Sequence, residues 1–226
     1  MKSSTSTLYL QVSDLRLHSS RRLENMGLQS ETATNTQKNH IMSRYRVRNQ
    51  NHLYFITFRT VGWIDVFSRQ RYRDILLESF KYCQAEKGLV IYAYVIMTNH
   101  VHMVVSADEG FQLSNILRDM KKFTARKILH SIENEAGESR KDWLLHMFKY
   151  YGKYNASIET YQFWEHDNYA IEVWSDKVIG TKINYIHDNP VRAGIVRNQE
   201  DYIYSSASNY ILNEGILDII QIELFN

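Results

Sequence analysis

Two histidines separated by a single residue, His100 and His102, stand in the apolar stretch HVHMVVS. Side chains of a strand alternate between its faces, so residues two apart share one face, roughly 6 to 7 Å from each other. Two imidazoles so placed can hold one metal ion between them, with Val101 turned into the apolar side. The same spacing also suits a pair of half-buried sheet histidines, and with nine histidines in the chain a His-x-His is a short motif with real chance frequency.

A second constellation is KINYIHDNPVRAGIV, residues 182–196, which contains the only proline of the chain. Tyr185 and Asn189 are four apart, so on a helix they lie on one face and present a phenol and an amide oxygen together. Pro190 works against this, because a residue before proline is pushed out of the helical region. The spacing therefore also allows a helix ending at Asp188, with Asn189 capping a new turn and Gly194 closing it. Nothing local separates Tyr185 from the rest of the chain's 16 tyrosines.

Taken in order, YAYVIMTNHVHMVV, FWEHDNYAIEVWS and INYIHDNPVRAGIV, with a DYIYSSASNY ending, resemble the REP-associated tyrosine transposases. These are relatives of the small single-tyrosine HUH transposases of bacterial insertion sequences. The similarity runs from about Tyr45 to Tyr210. It implies that His100 and His102 are metal ligands, that Asn189 is a third, and that Tyr185 is the nucleophile. It further implies a DNA nickase and ligase acting on hairpin-forming single-stranded repeats, as monomer or homodimer, through a 5′-phosphotyrosine. The other reading is a domesticated nucleic-acid-binding module that does not cut. Mixed nitrogen and oxygen ligands with open positions suit Mg²⁺ or Mn²⁺ better than structural Zn²⁺. A tyrosine near a helix C-terminus feels the negative end of the dipole, which opposes phenolate formation and calls for a cation, Lys182 among the candidates.

For DNA contact the sequence offers Arg118, Lys121, Lys122, Arg126 and Lys127 on one predicted helix, and Arg44, Arg46 and Arg48 ahead of the first strand. A solvated helix face has the same composition. Tyr150, Tyr151 and Trp164 are candidates for stacking on unpaired bases, and equally for the core. Glu165, His166, His187 and Asp188 lie close enough in sequence to tune a metal or to satisfy backbone groups.

The elements that must position these residues read as follows. Leu53–Thr60 is β-rich; residues 68–87 have helical spacing closed by Gly88; Leu89–Met97 and His100–Ser106 are strands on either side of a turn. Leu113–Ile132 is an amphipathic helix, residues 133–145 a polar loop, and the aromatic stretch from His146 strand or irregular structure. Asp176–His187 is a helix capped by Ser175 or Asp176. This order predicts an α+β domain: a ferredoxin-like antiparallel sheet with helices packed on one face, plus a C-terminal helix carrying the nucleophile.

Composition sets the remaining bounds. Residues 1–41 are rich in Ser, Thr, Asn and Gln and too poor in apolar residues to order themselves, so a disordered tail is expected there, or a biological start at Met42. The domain is expected over 42–212, with a C-terminal tail over 213–226. The formal net charge is +2; removing the five bases and three acids of residues 1–41 from the totals of 27 and 25 leaves 22 of each sign. DNA affinity must then come from local patches rather than global charge. The single Cys83 excludes an intrachain disulfide. The longest apolar run, nine residues from Leu89 to Met97, is about half a bilayer span. With no signal-like N-terminus, a cytoplasmic protein without membrane attachment is expected.

Overall fold

The computed structural model describes residues 46–134, 136–154 and 160–223. The expectations for residues 1–41, Met42 and Arg44 lie outside the described residues.

Strand β1, Tyr54–Arg59, leads through two short 3₁₀ turns into helix α1, Gln70–Lys87. Gly88 closes that helix in the left-handed region, φ 66°, as its place in the sequence predicts. Strands β2, Leu89–Ile96, and β3, His100–Ala107, form an antiparallel hairpin, followed by helix α2, Leu113–Asn134. A helix α3, Lys141–Lys153, follows where the sequence suggested a loop and then strand. Its apolar positions Leu144, Phe148 and Gly152 recur every four residues and are buried. The β-favouring Trp143, Tyr150 and Tyr154 that masked this pattern are exposed.

Strand β4, Ile171–Glu172, pairs antiparallel with β1, giving the sheet order β2-β3-β1-β4. With one crossover helix between β1 and β2 and helices between β3 and β4, this is the ferredoxin-like arrangement. The register of β1 against β3 sets Phe55 opposite Val104, Thr57 opposite His102 and Arg59 opposite His100. Those residues share one face, and Tyr54, Ile56 and Phe58 occupy the other. Helix α2 lies on the Phe58 side: Lys121 Nζ is 5.4 Å from the Phe58 ring, and Thr124 accepts a hydrogen bond from the Trp164 indole, which contacts Phe58. Helix α1 packs against α2.

Helix α4, Asp176–Arg192, crosses the opposite face against β2 and β3 and buries Ile183, Ile186 and Pro190. It is capped by Ser175, whose side chain accepts from Val178 N–H. The helix does not stop at Asp188: it passes through Pro190 to Arg192, with Ala193 N–H bonded to the Asn189 carbonyl. Gly194, φ 70°, then ends it, its N–H on Val191 and that of Ile195 on Pro190, a Schellman closure. Burial of the Pro190 ring offsets what its missing N–H costs the helix.

Residues 213–223 pack back onto the domain. Leu217 is buried, Ile220 N–H bonds the Ile91 carbonyl, and Asn209 and Gln84 side chains bond the carbonyls of Leu217 and Asp218. Among the described residues no helix is long and apolar enough to cross a membrane.

Candidate active site

A cleft of about 580 Å³ opens where α4 crosses the β1/β3 face, and its lining includes His100, His102, Tyr185, Asn189, Lys182 and Arg59. The histidine rings stand closer than strand spacing alone suggests, with centroids 4.7 Å apart and planes at 71°. His102 Nδ1 is 2.8 Å from the hydroxyl of Thr57, its cross-strand partner. His100 Nδ1 donates to the Asn99 side-chain oxygen at 2.6 Å, while the Asn99 amide nitrogen donates to the Trp63 carbonyl at 3.3 Å. Each ring thus has Nδ1 engaged, leaving Nε2 as the nitrogen available to a ligand, the arrangement that orients metal-bound histidines.

Both imidazoles are neutral at physiological pH. Burial, reinforced by Arg59, pushes His100 down to about 4. Burial, then His100, Lys182 and Arg59, pushes His102 down to about 3. Their lone pairs are therefore free to coordinate, while the charge of the cleft comes from Arg59 and Lys182 and favours an anion.

Because the helix continues through Pro190, Tyr185 and Asn189 keep the i, i+4 relation and meet the same cleft. Tyr185 is 38% exposed and sits edge-on to His102 at 5.2 Å and to Phe55 at 6.0 Å. Arg192 lies 5.6 Å from its ring, and Lys182 Nζ is 4.6 Å from Phe55. Tyr185 is two turns short of the helix end, so the adverse dipole expected for it falls away, that effect being confined to the last turn.

Two neutral imidazoles and one amide fit a divalent ion that retains open positions for oxygen ligands. Among the described residues no three His, Cys, Asp or Glu side chains gather around one point. The donor set therefore carries no negative charge, and a phosphate is the natural complement to a cation held there.

The other predicted contacts scatter. Lys121 is turned inward, its ammonium bonded to the carbonyls of Glu165 and His166 and to the Asn168 side chain. Burial, partly offset by Asp167 and Glu165, pulls it down to about 8. Lys127 pairs with Glu78 and Arg118 with Asp119. Lys122 and Arg126 are exposed on α2, with the sheet between that helix and the histidines. Arg46 and Arg48 are exposed near the Tyr54 end of β1, away from Arg59. Trp164 is buried in the core; Tyr150 is exposed and Tyr151 half-buried. His187 is a buried residue bonded to Ser206, and Asp188 faces Arg192 at 3.9 Å.

Sequence reasoning missed Arg59, Trp63 and Tyr169. The Arg59 guanidinium pairs with Glu165 at 2.9 Å, lies 3.9 Å from the Tyr169 ring and 5.1 Å from Trp63. Alternation along β1 was the signal: Phe55, Thr57 and Arg59 had to share the face of their partners in β3. The segment between Trp164 and Tyr169 earns its place by supporting this arginine, with Glu165 N–H on the Arg59 carbonyl and the Asn168 carbonyl on Thr57 N–H.

Comparison with known proteins agrees with the fold. A family model described as "Transposase IS200 like" matches residues 48–157, which include both histidines and end before Tyr185 and Asn189. No curated protein matches. A solved REP-associated tyrosine transposase bound to a REP hairpin is similar with a TM-score of 0.54 and 16% identity, over 80% of this chain and 94% of that one. A structure from Deinococcus radiodurans R1 reaches a TM-score of 0.30 with 15% identity, over 46% of this chain and 92% of that one, too loose for any argument. Residues 48–157, which hold the first of the three motifs, thus match the IS200-like transposases, and most of the chain shares the fold of the REP-associated tyrosine transposase.

Proposed function

We propose that this protein cuts and rejoins single-stranded DNA at hairpin-forming repeats through a covalent bond to Tyr185. The observation that carries the reading is the convergence of His100, His102, Asn189 and Tyr185 on one cleft that also holds Arg59 and Lys182. In the step proposed, the Tyr185 phenol oxygen bonds to the scissile phosphorus and the bond from phosphorus to the 3′ oxygen breaks. The phenol gives up its proton, and the departing 3′ oxygen takes one. The products are a 5′-phosphotyrosine and a free 3′-hydroxyl, and the phosphodiester energy is retained for the joining step.

His100, His102 and Asn189 would hold a Mg²⁺ or Mn²⁺ ion, which when bound polarises the phosphate and stabilises charge on the departing oxygen. Thr57 and Asn99 hold the two rings in position. Lys182, from the turn of α4 preceding Tyr185, and Arg59 draw the phosphate into the cleft and compensate its charge. A hairpin substrate is supported by the similar solved protein, which is bound to a REP hairpin.

The test is incubation of labelled hairpin-bearing single-stranded DNA with the protein and Mn²⁺, followed by denaturing electrophoresis. A protein-linked band in wild type that is absent in Tyr185→Phe is the expected result. An adduct that persists in Tyr185→Phe overturns the assignment of the nucleophile. Tight DNA binding without any adduct would instead indicate a recognition module that does not cut.

A further inference from the structure

We propose that Trp63 is a stacking platform for one unpaired nucleobase of the strand entering the cleft, an inference that rests on the single-stranded DNA reading above. Trp63 follows Gly62 in a short turn, and both adopt left-handed backbone, φ 60° for Gly62 and 56° for Trp63. Glycine takes that conformation freely, whereas a bulky side chain raises its energy there. The turn is nonetheless tightly fixed. Trp63 N–H bonds the Thr60 carbonyl, the Trp63 carbonyl accepts from Asn99, and Thr60 bonds the Asn99 carbonyl through both its N–H and its hydroxyl. Gly62 is pressed against the Tyr151 ring of α3, which a side chain there would have to displace.

What this strained turn presents is an indole that is 47% exposed at the rim of the cleft. It stands edge-on to His100 at 5.9 Å and beside the Arg59 guanidinium. A residue that stabilised only the fold would be buried or would relax the backbone, and Trp63 does neither. Backbone strain held in place by its surroundings is a mark of a working position.

The chemistry of the spot selects the ligand. A flat, uncharged, open ring lies next to the Arg59 guanidinium, which pairs with Glu165 but whose buried Nε lacks a hydrogen-bond partner among the described residues, and Lys182 lines the same cleft. A flat apolar ring joined to an anion is the complement, and a nucleotide is that. Bases within a duplex are already stacked on one another, so the platform favours single strands and tolerates any base.

The experiment measures fluorescence anisotropy of a labelled oligothymidylate, and of a duplex of the same length, with wild type, Trp63→Gly and Trp63→Phe. Glycine suits the left-handed backbone and keeps the turn; phenylalanine keeps a ring. Trp63→Gly is expected to weaken single-strand binding between about 5- and 150-fold, as loss of one stacked base does. Trp63→Phe should recover most of it, with duplex binding unchanged in both. In parallel, one abasic nucleotide is moved along the oligonucleotide. Wild type should lose affinity at one position, and Trp63→Gly should be insensitive there, a pattern that a merely structural tryptophan does not produce. Equal affinity of Trp63→Gly and wild type, or a flat abasic profile in wild type, overturns the platform while leaving the Tyr185 adduct intact. Absence of single-strand binding by wild type overturns both proposals.

Discussion

His102 Nδ1 and the Thr57 hydroxyl face each other across adjacent strands at 2.8 Å, both buried. Thr57→Val keeps the shape and removes the partner, so the ring loses its fixed orientation and a buried nitrogen goes unsatisfied. Mn²⁺ affinity, read by paramagnetic resonance titration in the presence of single-stranded DNA, is expected to fall about 10- to 100-fold. Thr57→Ser restores the hydroxyl and should stay close to wild type.

His187 supplies a pH test away from the cleft. Burial holds its imidazole down to about 4, against an ordinary 6.5. The unfolded chain takes up this proton near 6.5 and the folded chain only near 4. Stability is thus flat above about pH 6.5 and falls as pH drops toward 4, by at most about 1.4 kcal/mol per pH unit for this one group. His100 and His102 act in the same direction. Urea midpoints measured at neutral pH and near pH 5 should show the fall, and His187→Gln should make it shallower even though it is less stable at neutral pH. An unchanged slope in His187→Gln would remove this histidine from the account.

Lys121 and its neighbours on α2 separate structure from recognition. Lys121→Met strips three acceptors of their donor and should lower stability by about 2 kcal/mol, with looser support of Arg59 as a secondary effect. Lys122→Ala with Arg126→Ala removes two exposed charges from the far side of the sheet and should leave both melting temperature and adduct yield near wild type. Lys182→Ala, at the cleft, should reduce the yield at least tenfold. Gel quantification and thermal melting on the three variants decide the matter.

What could be read from the sequence and what could not divide along physical lines. Gly88 and Gly194 announced their helix ends because only a left-handed closure suits a glycine in those places. The His100, His102 pair was legible because strand alternation is strict. Helix α3 was not, since its buried set is small and its exposed aromatics favour strands. Pro190 misled in one respect: local preference ends the helix, and burial of the ring carries it through. Lys121 looked like its neighbours in sequence, and only the packed structure turns it toward the Glu165–Asn168 segment. Trp63 was beyond reach because its meaning lies in a backbone angle, which composition and spacing do not reveal.

Helix α4 crosses the histidine face late in the chain, and that order matters during synthesis. Strand β3, which carries both His100 and His102, leaves the ribosome well before Tyr185 does. A nascent chain at that stage carries the ligand pair while it still has nothing with which to attack DNA. Until Ile183, Ile186 and Pro190 arrive, the same face is also bare and adhesive. Under the proposed chemistry, helix α4 both hides that face and arms the protein, so a copy that stops short of it carries the histidines without the nucleophile.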